Sequence, residues 1–208
     1  MSPAKSSQKS GTYEITTFTG IPAPTLVHLV LDARDDPVTQ RKALAELAKL
    51  APNRRNKHLI EALRQMVREP QLYQADITYS IVELLGTDPN PEATRAMIEV
   101  LPHVAHAQKK GTGPLTLDLR SYFYEALTTR QRDTDRVVWD EMLPQLDPDT
   151  LVDLLTDPAA QQLREFIDPE KLIEHLPREQ RNQALKKLVL EGSVGQSFGA
   201  LRRLMTGG

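Results

Sequence analysis

The chain has 208 residues, of which 39% are hydrophobic and 26% charged, and its formal net charge is −2. That is enough apolar material to build a core unaided, and the near-neutral balance supplies no general field toward nucleic acid or anionic lipid. With no cysteine in the sequence, disulfides, thiolate nucleophiles and cysteine-ligated zinc are excluded.

Residues 1–11 are polar, rich in Ser and Lys, and read as a flexible tail. They lack the apolar centre of a secretory signal, so a cytoplasmic location is the default expectation. Residues 12–24 hold β-branched and aromatic types in a rough period of two, from Tyr13 to Phe18, and then Pro22 and Pro24. They predict an extended N-terminal arm laid on the first helices.

From Thr25 onward apolar residues recur at spacings of three and four, the signature of amphipathic helices. The pattern predicts helices over 25–32, 37–51, 54–68, 71–86, 90–106, 115–129 and 133–146. Shorter ones are expected over 149–156, 158–167, 169–176, 178–191 and 194–205. Asp-Pro recurs at 36–37, 88–89, 147–148, 157–158 and 168–169. Each such pair marks a helix start: the Asp carboxylate accepts from free backbone N–H groups, and Pro in the first turn gives up no bond. No strand is expected after residue 25. No apolar run approaches the roughly 18 residues of a membrane span.

The stretch Leu59 to Leu101 reads LIEALRQMVREPQLYQADITYSIVELLGTDPNPEATRAMIEVL. An apolar helix, a break with Pro, a helix ending in Leu-Leu-Gly and a third helix of the first type resemble a HEAT repeat. DDPVTQRKALAELAKLAP at 35–52 is similar to the second helix of such a unit. First helices beginning near 25, 54, 90 and 133 give a drifting period over about residues 25–146. The resemblance implies an all-α fold, a right-handed α-solenoid of HEAT-like antiparallel helix pairs over 25–208, with 147–208 divergent. It further implies an inner face of second helices that binds protein or nucleic acid, and it carries no catalytic residues.

On that inner face the sequence places Tyr73, Asp76, Ser80 and Glu83 of one helix and Arg120 and Tyr124 of the next. Tyr and Arg are favoured in binding hot spots. Tyr122 and Tyr124 lie about 200° apart on a helix, so one of them must leave the core. Basic patches are read at Arg54, Arg55 and Lys57, at Lys109 and Lys110 in a loop over 106–114, and at Arg202 and Arg203. Bases at a helix start oppose the helix dipole and invite an anion. Val137 to Ala160 carries six acids and no base, a second candidate guide for partners.

Two weaker constellations compete with ordinary surface or core. Glu99, His103 and His106 share a helical face and are acceptable zinc ligand types. Trp139-Asp140 is similar to the aromatic-plus-acid pair of HEAT-like DNA glycosylases, where a ring stacks on a base. No phosphate loop and no G-x-S-x-G elbow is present. The reading is a non-catalytic adaptor scaffold for a protein partner, without a cofactor. Self-association is open, and a nucleic-acid-binding protein is the alternative.

Overall fold

The computed structural model describes residues 18–33, 36–69, 75–109 and 119–191. These form eleven α-helices and two 3-10 turns, and no strand occurs among the described residues. The helices are α1 (Ala23–Asp32), α2 (Pro37–Lys49), α3 (Pro52–Arg68), α4 (Ala75–Gly86), α5 (Pro91–Lys109) and α6 (Leu119–Thr128). They continue as α7 (Asp133–Met142), α8 (Pro148–Thr156), α9 (Gln161–Ile167), α10 (Pro169–Glu174) and α11 (Arg178–Glu191). The expected helix at 194–205 and most of the N-terminal arm lie outside the described residues. No helix among those residues is long and apolar enough to cross a membrane.

Four of the five Asp-Pro pairs start helices by the expected chemistry. Asp36 accepts from the amides of Val38 and Thr39 at 3.1 Å each, and Asp147 from that of Thr150 at 3.0 Å. Asp157 and Asp168 accept from Ala159 and Glu170, each at 2.9 Å. The Thr39 hydroxyl and amide hold the Asp36 carboxyl below its ordinary pKa. The fifth pair is displaced. α5 begins at Pro91 and is capped by Asn90, whose side-chain oxygen accepts from the Glu92 amide at 3.0 Å. Asp88 accepts from the Asn90 amide at 3.0 Å and also joins a buried network.

α1 starts at Ala23, two residues before the expected helix over 25–32, and Pro24 sits in its opening turn, where it forfeits no hydrogen bond. α5 runs through Pro102 to Lys109, so the first part of the expected 106–114 loop is helix, and residues 110–114 lie outside the described residues. Of the arm, Phe18 is buried in the core. A turn comes next, in which Gly20 takes a φ of 83° and the Ile21 amide donates to the Phe18 carbonyl at 3.3 Å. Glycine alone adopts that φ without strain.

Packing runs through alternate helices. α1, α3, α5 and α7 contact one another in sequence, and α2, α4, α6 and α9 form a second row. α1 packs on α2, α3 on α4 and α5 on α6, which joins the rows. One apolar cluster lies between them, from Phe18 to Leu185. Gly86 ends α4 against α6, where a Cβ would meet the Ala126 Cβ at 3.2 Å. The short helices after 147 belong to the same body: α8 packs on α5, α9 on α6 and α7, and α10 and α11 on α8.

Candidate functional site

Many charged side chains among the described residues are engaged within the fold. Inside, a recurring device ties helices end to end. The fourth residue of α2, Gln40, is buried and donates to the Val30 carbonyl of α1 at 2.7 Å. The fourth residue of α3, Arg55, donates to the carbonyls of Ala48 at 2.6 Å and Leu50 at 3.1 Å, at the end of α2. The fourth residue of α9, Arg164, reaches those of Leu154, Leu155 and Asp157 at 3.0, 2.7 and 3.2 Å. Arg181, fourth in α11, reaches Glu174 and Leu176, each at 3.1 Å. A helix C-terminus presents unpaired carbonyls and the negative end of the dipole, and a guanidinium satisfies both. This corrects the reading of Arg55: it is buried, and its anion is the α2 terminus, not a partner. Arg54 and Lys57 remain exposed.

A denser version lies at the middle. Arg130, fully buried in the turn before α7, donates to Thr94 Oγ1 at 2.6 Å, to the Leu85 carbonyl at 2.8 Å and to the Asn90 carbonyl at 2.6 Å. It also donates to the Asp88 carbonyl and pairs with buried Asp135 at 3.4 Å. The Thr94 hydroxyl donates to Asp135, and the Asn56 amide to the Asp88 carboxylate. Burial pushes the Arg130 pKa down, against the opposing pull of Asp135 and Asp88.

Outside, ion pairs bridge neighbouring helices. Arg41–Asp76 joins α2 to α4 at 2.9 Å, Arg64–Glu99 joins α3 to α5 at 2.5 Å, and Arg95–Glu141 joins α5 to α7 at 2.5 Å. Arg120–Asp153 links α6 to α8, and Lys171–Asp140 links α10 to α7, each at 2.6 Å. The acidic run over 137–160 is therefore largely spent on bridges and caps.

The sequence-predicted face is brought together in part. Asp76, Ser80 and Glu83 line one side of α4, with Asp76 in its bridge to Arg41 and the Ser80 hydroxyl donating to the Asp76 carbonyl at 3.0 Å. Tyr124 is corrected: it is fully buried, and burial pushes its phenol pKa upward. Arg120 is mostly covered and engaged with Asp153. Tyr122 is the tyrosine that leaves the core. Its ring meets Tyr79 of α4, with centroids 4.2 Å apart and planes inclined by 58°. Both rings are half-buried, while Glu83 and Glu125, one turn along α4 and α6, are exposed. The Glu83 carboxylate, then desolvation and Glu125, raise the Tyr79 phenol pKa. Neither carboxylate has an ion-pair partner among the described residues. Tyr73, Lys110, Arg202 and Arg203 lie outside the described residues, as does the side chain of Lys109.

The remaining candidates lose their function-bearing geometry. Trp139 is 1% exposed and cannot stack on a flipped base, and Asp140 is held by Lys171. Glu99 is bound to Arg64, His103 is exposed, and the side chain of His106 lies outside the described residues. A groove of 1230 Å³ lies along α3 and the α4–α5 turn, lined by Asn56, Lys57, Ile60, Arg64, Arg68 and Glu92. It is on the other row of helices from the tyrosine pair. Its charge is mixed, and Arg64 is already engaged.

Comparison of the chain with protein-family models, with curated proteins and with solved structures finds no match.

Proposed function

We propose that this protein is a HEAT-like, right-handed α-solenoid that acts as a non-catalytic scaffold and offers the α4–α6 face to a protein partner. The alternate-helix packing supports the repeat reading, since each hairpin covers its apolar stripe with the hairpins beside it. The observation that carries the choice of face is the tyrosine pair flanked by two exposed carboxylates with no ion-pair partner among the described residues. Rigid aromatic side chains supply contact area at low entropic cost, and unpaired rim charges select the partner.

A photo-crosslinking residue at Thr87, one turn beyond Glu83, tests this in the native host. It is expected to give a discrete protein adduct that Glu83→Lys with Glu125→Lys abolishes. The same probe at exposed Val137 of α7, on the other row, is the control. Equal labelling from both positions, or an adduct indifferent to the charge reversal, overturns the reading.

A further inference from the structure

We infer that the Tyr79–Tyr122 pair, flanked by Glu83 and Glu125, is a receptor for a guanidinium group, so that the partner docks through an arginine in an exposed segment. The inference rests on the scaffold reading above and names the chemistry of its contact. Two phenol rings from separate helices meet at 58° with centroids 4.2 Å apart, so they form an angled aromatic corner, not a flat stack. Neither phenol hydroxyl donates or accepts a hydrogen bond among the described residues. Glu83 comes four residues after Tyr79 on α4, and Glu125 three after Tyr122 on α6, so each carboxylate sits on its ring's own helical face.

Glu83, and more weakly Glu125, place negative charge beside the Tyr79 ring and raise its phenol pKa. The arginines of the same row are all engaged: Arg41 with Asp76, Arg120 with Asp153, and Arg164 with the carbonyls of Leu154, Leu155 and Asp157. No counter-charge is in place among the described residues, which leaves that role to a ligand. A guanidinium matches both parts of the site, because its plane stacks on an aromatic face while its forked N–H groups donate to carboxylates. An ammonium offers a point charge with no plane to stack.

Short blocked peptides carrying one arginine, one citrulline or one lysine, titrated onto the full chain, test this through the NMR signals of labelled tyrosine rings. The arginine peptide is expected to move two half-exposed tyrosine rings, assigned by Tyr79→Leu and Tyr122→Leu, while the citrulline peptide leaves them in place. Affinity for arginine should fall roughly three- to tenfold in Tyr79→Leu, the range of a cation–π contact. A fall of similar size is expected in Glu83→Gln with Glu125→Gln. Both changes lie at the surface, and an unchanged thermal midpoint in the double glutamine variant verifies its fold. Equal response to citrulline, equal affinity for lysine, or arginine binding indifferent to both variants overturns the inference. Should arginine peptides fail while the Thr87 adduct persists, the cation receptor falls and the scaffold reading stands. Arginine binding without any adduct gives the converse.

Discussion

Arg130 shows how a single side chain can hold several segments. Its guanidinium closes the carbonyls of Leu85, Asp88 and Asn90 and neutralises buried Asp135. Removing it leaves three carbonyls, the Thr94 hydroxyl oxygen and one carboxylate without the guanidinium in a medium that solvates them poorly. Breaking a buried pair by deleting one partner costs about 3–5 kcal/mol. Arg130→Met is expected to lose that much in urea unfolding, and Arg130→Lys most of it, because an ammonium cannot fork across the same oxygens. A loss under about 1 kcal/mol in Arg130→Met would show that water replaces the guanidinium and that the network is dispensable. None of this is legible in the sequence. Arg130 comes after Thr128-Thr129 in an ordinary turn, and its partners in Thr94 and Leu85 lie 36 and 45 residues away. The choice between Tyr122 and Tyr124 goes astray for a related reason. Rotation around the helix says that one of them must leave the core, and only the packing of α6 on α4 and α9 says which.

Among the helices, two kinds of tie differ sharply in worth. The bridges between helices of a row are exposed, as in Arg64–Glu99, whose side chains are 37% and 42% accessible. Screened pairs of this sort contribute about 0.2–1 kcal/mol. The buried arginine caps work where solvent cannot substitute. A double-mutant cycle on Arg64 and Glu99 is therefore expected to give a coupling below about 1 kcal/mol, falling in salt. Arg164→Ala, which strands the carbonyls of Leu154, Leu155 and Asp157, should cost roughly 2–3 kcal/mol with little salt dependence. Equal effects in chemical denaturation would mean that the caps are as solvated as the bridges. Helix starts are well marked in the sequence, because an Asp N-cap acts within three residues of itself. The Asp88-Pro89 signal points two residues early: the Asp88 carboxylate accepts from the Asn90 amide at 3.0 Å and from the Asn56 side chain, and Asn90 itself caps α5. The caps do leave a trace: Gln40, Arg55, Arg164 and Arg181 are each the fourth residue of a helix that begins after a short break. A polar side chain at that position belongs to the helix before it, yet on sequence alone it reads as surface, because charge at a helix entrance usually is.

The two rows of helices and the single apolar cluster also decide how the fold comes apart. Where helices contact mainly their neighbours in a row, cooperativity depends on the strength of the joints between them. Here the central joint is unusually polar and deep: Asn56 of α3, Asp88 before α5, Thr94 of α5, Arg130 before α7 and Asp135 of α7 form one connected network. The only tryptophan, Trp139, lies in α7 beside it and is buried. If the network couples the stack, Trp139 fluorescence and helical circular dichroism should trace the same urea transition, with one midpoint and one slope. In Arg130→Met both probes should move together to lower urea. Fluorescence that falls first in the variant, with half or more of the helical signal persisting, would place the coupling elsewhere and leave α7 to α11 as a separable block. The apolar cluster argues for the joint transition, since α7 packs on α5 and α9, and α8 packs on both of those helices, so the described core has no seam that would free α7 to α11 as a block.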